Sequence, residues 1–169
     1  MKIIAVADTH MPQRAKELPS VLLHALENAD HIIHAGDITE LDILDMLAAF
    51  APVTAVAGNV DSAGVRAALG ELQTLHAGRY CIGVCHGHGT KGKTLHRALA
   101  AFDGRAVDVV VFGHSHIPYF GIHDGVLALN PGSPTDKRRC LYYSYGVIEA
   151  GETLSARIVY FDRNGRIIS

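Results

Sequence analysis

Seven side chains of the types that ligate metal ions each follow a short apolar run of the sequence. Three carry a carboxylate or an amide and four carry an imidazole: Asp8, His10, Asp37, Asn59, His86, His114 and His116. Imidazole and carboxylate ligands without a thiolate favour Mn, Fe, Zn, Ni or Co over an ion that prefers oxygen alone. Seven ligands are too many for one ion. We therefore expect two divalent transition-metal ions, with Mn as the leading candidate.

The prediction of a metal site depends on all of these fragments occurring together, because a lone Asp-x-His or Gly-Asp is commonly a coincidence or a turn. The apolar runs that precede the ligands span residues 3–7, 32–35, 53–57, 80–85 and 107–112. Short β-branched runs without polar alternation are typical of strands buried on both faces. Ligands gather at the carboxyl ends of parallel strands, and neighbouring strands lie ~4.8 Å apart, so we expect these side chains to converge.

Helix-like segments separate several of the runs, at residues 20–29, 39–50 and 94–102. Ser20 is expected to cap the first of these helices. The alternation of strand and helix predicts a largely parallel sheet that contains the ligand-bearing strands. Residues 72–76 and 80–85 predict a β-hairpin, which makes that sheet mixed.

After Pro118 the pattern becomes all strand, and we expect these strands to form a second sheet. They span residues 119–122, 126–129, 140–148 and 154–161. The predicted fold class is α/β, a layered α/β/β/α sandwich of two mixed sheets flanked by helices. One domain is expected over residues 1–169.

The composition of the chain limits the kinds of molecule that it is expected to bind. The formal net charge of -2 disfavours an extended nucleic-acid surface, which requires an excess of Lys and Arg, so a small substrate is expected. No apolar stretch is long enough for a membrane span or a signal peptide, and we expect a cytoplasmic protein. Cys81 and Cys85 would lie ~13 Å apart on one strand, too far for a disulfide, so buried reduced thiols are expected.

Taken in order, these motifs resemble those of the calcineurin-like metallophosphoesterase superfamily. In size the chain resembles the small bacterial and archaeal phosphodiesterases of that superfamily. The resemblance extends from Met1 to about Arg139 and includes Asn130-Pro131-Gly132-Ser133. It implies that Asp37 bridges two ions and that a metal-bridging hydroxide attacks the phosphorus of a small phosphodiester.

The resemblance also implies which ligands each ion takes. The first ion would be held by Asp8, His10, Asp37 and His116, and the second by Asp37, Asn59, His86 and His114. The alternatives are a phosphomonoesterase, or a metal-binding interaction scaffold of the same fold such as a retromer subunit. Relatives of this size also imply a possible homo-oligomer.

One position departs from the wider family pattern. Many members carry a histidine after the asparagine, supported by the acid that follows it, whereas this chain has Val60 before Asp61. Valine cannot protonate a leaving group. His88 is the candidate for that task because it lies two residues past His86, and Asn59 is the other residue expected to take part in catalysis.

Two further features have more than one interpretation. His34 either orients a ligand through a hydrogen bond or is an ordinary core histidine. The basic run Lys137-Arg138-Arg139 either helps to hold a phosphate or is a solvated run of charges.

Overall fold

The computed structural model describes residues 1–168, which contain four short helices and eleven strands. The helices are α1 (Ser20–Leu26), α2 (Asp42–Ala48), α3 (Ala63–Ala68) and α4 (Thr94–Ala100). The first six strands are β1 (Lys2–Val6), β2 (His31–His34), β3 (Val53–Ala55), β4 (Leu72–Ala77), β5 (Tyr80–Cys85) and β6 (Val109–Val111). The remaining strands are β7 (Tyr119–His123), β8 (Val126–Asn130), β9 (Tyr143–Ala150), β10 (Leu154–Phe161) and β11 (Ile167–Ile168).

Two mixed sheets form the centre of the fold, as predicted. The first sheet has the order β11-β10-β9-β1-β2-β3, and the second has the order β4-β5-β6-β8-β7. In the first sheet β1, β2 and β3 run parallel while β9 and β10 are antiparallel to their neighbours. In the second sheet β5, β6 and β8 run parallel, whereas β4 and β7 lie antiparallel at the two edges.

The predicted division of the strands between the sheets is wrong. The five ligand-bearing strands do not share a sheet, because β1 to β3 belong to the first sheet while β5 and β6 belong to the second. The late strand β9 pairs antiparallel with β1, with Ile148 opposite Ile3. Most of β9 is buried on both faces, so it fills a central place in the first sheet. Local sequence patterns do not reveal such long-range pairing.

Three apolar layers explain why the sheets stack and why helices cover them. Between the sheets, side chains of the first sheet such as Ile3, Ala5 and Ile33 pack against Ile82 and Val111 of the second. On the outer face of the first sheet, helices α1, α2 and α3 bury residues including Leu22, Leu47 and Val65. Helix α4 covers the outer face of the second sheet, where Ala98 and Phe102 meet Val110. The α/β/β/α order is therefore confirmed.

Local predictions were partly right. The hairpin of β4 and β5 is confirmed by their antiparallel register. All three cysteines are free, but only Cys85 is buried, while Cys81 and Cys140 are half-buried. Ser20 does not cap α1, since Pro19 occupies the N-cap and no side chain makes a capping hydrogen bond there. Helix α3 was not predicted; Ser62 caps it by accepting a hydrogen bond from the Val65 N–H at 3.3 Å. Strand β11 was also missed.

Within residues 1–168 there is no helix long and apolar enough for a bilayer crossing.

Candidate metal centre

The predicted ligands meet where the carboxyl ends of strands from both sheets face each other. Asp8, Asp37 and Asn59 follow strands of the first sheet, while His86 and His114 follow strands of the second. The His114 backbone N–H donates to Asp8 Oδ1 at 3.1 Å, which joins the two sheets. Asn59 Oδ1 lies 2.9 Å from His114 Nδ1 and 3.2 Å from His86 Nε2. The site therefore spans the seam between the sheets and does not lie along one sheet edge.

One group of candidate ligands consists of Asp8, His10 and His116, whose ligand atoms all lie within 4.8 Å of one another. The two imidazole rings stack with their centroids 5.0 Å apart. His116 Nε2 is 3.6 Å from Asp8 Oδ1 and 3.1 Å from His10 Nε2. Three side chains that were assigned to the first ion are thus brought together.

A second group consists of Asp8, Asp37 and His86. Asp37 directs one oxygen to each side of the centre: Oδ2 lies 3.6 Å from His10 Nε2, and Oδ1 lies 3.3 Å from His86 Nε2. This arrangement has the geometry expected of a bridging carboxylate. Asp8 also reaches both groups, although the family pattern assigns it to one ion only.

Backbone carbonyls orient two of the histidines. His86 Nδ1 donates to the Ala35 carbonyl at 2.7 Å, and His116 Nδ1 donates to the Asp136 carbonyl. An imidazole that donates from Nδ1 keeps a lone pair on Nε2 when it is neutral. Both Nε2 atoms point at the carboxylates of the centre. This is the usual way in which proteins prepare a histidine to bind a metal.

The donor set fits divalent cations. Asp8 is fully buried, yet its Oδ2 atom has no hydrogen-bond partner among the described residues. The Nε2 atoms of His10 and His116 lie 3.1 Å apart, and since His116 donates its proton at Nδ1, His10 is the donor of this pair when its proton is at Nε2. A buried acceptor without a donor, such as Asp8 Oδ2, is costly. A cation bound to Asp8 Oδ2 would remove that cost.

The pKa values of four predicted ligands are shifted by burial and by neighbouring charges. Burial, reinforced by the negative charge of Asp37, raises the pKa of Asp8 to about 7 although the positive charge of His86 opposes the rise. Burial also acts to raise the pKa of Asp37, but the hydrogen bond and positive charge of His86 hold it at about 2. Burial lowers the pKa of His114 and of His116 to about 4. These two imidazoles are therefore neutral near pH 7, as ligation requires.

Five of the predicted ligands have left-handed backbone conformations. The φ angles are positive for Asp8, His10, Asp37, His114 and His116, between 46° and 68°. For residues with a Cβ such angles cost roughly 1 kcal/mol or more each, and they persist only where the surroundings enforce them. Here Asp8 N–H donates to the Gly36 carbonyl at 2.9 Å and His10 N–H to the Asp37 carbonyl at 3.1 Å. The strain concentrates where the ligands turn toward one another.

Several supporting residues were not predicted from the sequence. Ser133 Oγ donates to the Asp8 carbonyl at 2.7 Å, and Asn130 Nδ2 donates to the Gly113 carbonyl at 2.8 Å. The Asp61 carboxylate accepts the backbone N–H groups of Thr39 and Gly58, both at 2.6 Å. The Asn-Pro-Gly-Ser motif was visible in the sequence, but nothing in it indicated which loop its side chains would hold.

The surroundings of Val60 and His88 bear on leaving-group chemistry. Val60 is 47% exposed, and Asp61 uses both oxygens on backbone groups, so Asp61 does not support residue 60. The His88 ring lies with its centroid 5.6 Å from that of His86 and 6.4 Å from that of His114. Its buried Nδ1 atom has no hydrogen-bond partner among residues 1–168. His88 thus lies beside the centre with an uncommitted nitrogen.

His34 is a fully buried core histidine. Its Nε2 atom lies 3.0 Å from Thr9 Oγ1, and Thr9 separates two of the predicted ligands in the chain. Burial, with the positive charge of His86, lowers the pKa of His34 to about 3. The contact combines the two interpretations, since a neutral core imidazole packs against the loop that presents Asp8 and His10.

Comparisons with known proteins agree with this geometry. Residues 1–153 match the model of a family described as the calcineurin-like phosphoesterase superfamily domain. A probable metallophosphoesterase of Methanocaldococcus jannaschii is 37% identical over 161 residues, covering 94% of this chain and 81% of that protein.

Solved structures share the fold. Vps29 of Chaetomium thermophilum superposes with a TM-score of 0.85 at 19% identity, covering 99% of this chain and 95% of that one. A protein described as a novel archaeal phosphodiesterase superposes with a TM-score of 0.74 at 23% identity, covering 95% of this chain and 100% of that one. At these identities the likeness to the solved structures establishes a common architecture.

Proposed function

Because the chain belongs to the calcineurin-like phosphoesterase superfamily, we propose that it hydrolyses small phosphodiesters with the help of two divalent transition-metal ions. The observation that supports this most directly is the convergence of Asp8, His10, Asp37, His86 and His116 into two groups that share a carboxylate. Membership in the family implies a metal-dependent phosphoester hydrolase. The restriction to diesters, and Mn as the metal, are our proposals.

In this proposal the seven predicted ligands are distributed between two ions as the family pattern implies, and Asp37 binds both. Asp8, His10, Asp37 and His116 hold one ion, and Asp37, Asn59, His86 and His114 hold the other. The carboxylate of Asp37 supplies negative charge between two cations that would otherwise repel each other strongly at short range. Asp8 belongs to both groups, whereas Asp37 belongs to the second, so the second oxygen of Asp8 is available for the same purpose.

Bound metal ions would supply Lewis acidity, which activates water at neutral pH and offsets negative charge on the phosphate oxygens. The chain itself contributes position. Ala35 and Asp136 fix the ring orientations of His86 and His116 through their carbonyls, and Asp61 and Ser133 hold the loops of Gly58 and Asp8. Side chains held in this way need little reorganisation when the substrate reacts.

His88 and Asn59 are the residues that we propose act on the substrate side of the centre. The imidazole of His88 lies beside His86 and His114, and in this proposal it transfers a proton to the departing alkoxide, which is the task that Val60 cannot perform. Both residues line a cavity of 250 Å³, together with Arg66 and Glu71. This cavity is large enough for a small alcohol leaving group.

One observation favours a diesterase over a monoesterase: the structurally similar archaeal protein is described as a phosphodiesterase. A scaffold function alone is disfavoured because all seven ligand positions carry side chains able to bind metal. Such a scaffold would be free to lose them.

The decisive experiment is a panel of phosphodiesters and phosphomonoesters assayed with the chelated protein after separate addition of Mn, Ni, Zn and Mg. We expect diesters to be hydrolysed with higher kcat/KM than matched monoesters, and Mn to support the highest rate. A protein that prefers monoesters with every metal would be a phosphomonoesterase. Absence of turnover with two bound ions would favour the scaffold.

A further inference from the structure

Residues 87–92, the His88 loop, join the end of β5 to helix α4 beside the metal centre. Gly87 and Gly89, which flank His88, have φ angles of 80° and 148°. Within residues 1–168 the loop forms no backbone–backbone hydrogen bond. A loop without such bonds does not keep one conformation by itself. The position of His88 must therefore be determined by contacts from outside the loop backbone.

Those contacts come from the side chain of Arg97 in α4. Its Nε donates to the Gly87 carbonyl at 2.9 Å, and its Nη1 donates to the carbonyls of Lys91 at 3.1 Å and Gly92 at 2.6 Å. Its Nη2 donates to Thr94 Oγ1 at 3.1 Å. Among the described residues, no other side chain forms a hydrogen bond with the His88 loop. All three nitrogens of the guanidinium are thus used to hold this loop and the start of α4.

Arg97 contacts the chain immediately before and immediately after His88. The Gly87 carbonyl belongs to the peptide group that contains the His88 nitrogen, and a peptide group is planar. The bond from Nε therefore orients the plane from which His88 continues. On the other side, a Cβ at Gly89 would lie 2.8 Å from Arg97 Cδ and 3.1 Å from Arg97 Nε. The aliphatic stem of Arg97 is packed against residue 89.

Arg97 itself starts from a fixed position. It is half-buried, and the adjacent Ala98 is fully buried against the second sheet together with Phe102. A Cβ at Gly87 would lie 3.6 Å from Ala98 Cβ, so the loop also lies directly on the helix. A guanidinium is a planar fork whose donors have fixed relative directions. The packing of α4 on the sheet can therefore determine the position of the loop.

We propose that Arg97 is a positioning residue that fixes the His88 imidazole beside the metal centre and, through His88, controls the hydrolysis of esters with poor leaving groups. The inference rests on the proposed function, in which His88 transfers a proton to the leaving group. The His88 ring centroid lies 5.6 Å from that of His86 and 6.4 Å from that of His114. Proton transfer requires hydrogen-bond distance, and a displacement of about 1 Å can cost about 100-fold in rate.

The letters of this segment also match a phosphate-binding pattern. Residues 87–94 read Gly-x-x-x-x-Gly-Lys-Thr between a strand and a helix, the pattern of loops that bind nucleotide phosphates through their backbone N–H groups. Here three carbonyls of the loop face inward instead and accept from the Arg97 guanidinium. The loop surrounds a cation of its own chain, which favours anchoring by Arg97 over a nucleotide phosphate site.

The structural test uses protein loaded with Zn, which is diamagnetic. Nuclear Overhauser effects between the rings of His88 and His86 report their contact, and trypsin cleavage after the exposed Lys91 reports opening of the loop. Arg97→Met keeps an aliphatic stem and removes every donor. We expect it to lose the ring contact and to raise the cleavage rate by about 10-fold or more. Arg105→Met removes an exposed arginine beyond α4 and should change neither.

The kinetic test asks whether Arg97 acts through His88. With two Mn ions bound, Arg97→Met should lower kcat for alkyl diesters by about 10-fold or more and change it for activated aryl diesters by less than about 2-fold. Arg97→Lys retains a cationic donor and should recover part of the loss. Added to His88→Ala, Arg97→Met should cause no further loss, because both changes affect the same proton transfer.

The ring contact needs no turnover, so it separates this inference from the proposed function. If the wild type hydrolyses no ester, the proposed function fails, whereas loss of the contact in Arg97→Met still supports Arg97 as the residue that holds His88. A wild-type ring contact and cleavage rate in Arg97→Met would overturn the inference even if diesters are hydrolysed well. Equal losses for alkyl and aryl diesters, or an additive loss in the His88→Ala background, would also overturn it, because Arg97 would then act on the whole centre.

Discussion

The Nε2 atoms of His10 and His116 face each other at 3.1 Å in stacked rings, one from the loop after β1 and the other from the loop after β6. Because His116 donates its proton from Nδ1 to the Asp136 carbonyl, its lone pair points at the partner ring. Two acceptors in contact repel unless a proton or a cation lies between them. A neutral His10 with its proton at Nε2 meets this requirement by donating to His116 Nε2, and a cation held by both nitrogens would meet it as well.

The first prediction concerns metal content. Protein reconstituted with Mn and freed of excess should contain two ions per chain, and chelation should lower its melting temperature. A ligand present at 100 times its Kd stabilises by about 2.7 kcal/mol, which corresponds to a shift of several degrees in a domain of this size. Elemental analysis and thermal unfolding measure both effects. One ion or none per chain, or a melting temperature insensitive to chelation, would contradict the two-ion assignment.

The second prediction tests Asp37 as the bridge. Asp37→Asn keeps the shape of the side chain but removes the negative charge that Oδ1 and Oδ2 direct to His86 and His10. We expect kcat to fall by about 10³-fold while the protein remains folded. Asp45→Asn makes the same chemical change at an exposed position of α2 and should leave kcat unaltered. Wild-type turnover in Asp37→Asn at equal metal content would show that another group bridges the ions.

The third prediction concerns the close approach of Gly58 to Asp37. A Cβ at residue 58 would lie 2.1 Å from Asp37 Oδ1 and 2.3 Å from the Asp37 backbone nitrogen. Gly58→Ala should therefore displace the carboxylate and weaken metal binding by about 10- to 100-fold, the usual range for lost support of a ligand. At Gly64 in α3 the nearest atom would be 3.9 Å away, so Gly64→Ala should bind metal normally. Equal metal affinity in the two variants would refute the steric argument.

The fourth prediction is a pH dependence of stability that originates at His34. Its pKa in the folded protein is about 3 because of burial, whereas an unfolded histidine titrates near ~6.5. Between these values the unfolded chain binds more protons, so folding stability is retained above pH ~6.5 and decreases as the pH falls toward 3. Urea unfolding of the metal-free protein at pH 7.5 and 5 measures the loss.

A variant isolates the contribution of His34 from that of the other buried histidines. His34→Gln preserves a polar group that can reach Thr9 Oγ1 but does not titrate. We expect the loss of stability between pH 7.5 and 5 to be smaller in His34→Gln than in wild type. Identical losses would mean that His34 does not contribute and that His114 and His116, whose pKa values are also lowered, account for the dependence.

The fifth prediction concerns leaving groups. If His88 supplies the proton, His88→Ala should slow alkyl diester hydrolysis by about 10²-fold or more and slow activated aryl diesters far less. A plot of log kcat against the pKa of the leaving-group alcohol should become steeper in the variant. His96→Ala, on the exposed face of α4, is the control and should leave the slope unchanged. An unaltered slope in His88→Ala, with both ions bound, would exclude His88 as the acid.

The residue types of the metal centre could be read from the sequence because they depend on local order alone. Asp8, Asp37 and His86 each follow a buried apolar run, and a strand that ends in such a residue presents it at the end of a sheet wherever the sheet lies. The hairpin of β4 and β5 could also be predicted from the sequence, because the two strands and their turn are contiguous in the chain. The family and the layered fold follow from the same motifs, and the comparisons confirm them.

Only the tertiary structure decided how these pieces come together. The pairing of β9 with β1 joins segments far apart in the chain, and it is selected by burial of whole sheets, which no short pattern encodes. The carbonyls of Ala35 and Asp136 that orient His86 and His116 have no side-chain signature at all. Residue chemistry is local, whereas proximity between distant segments is a property of the packed chain.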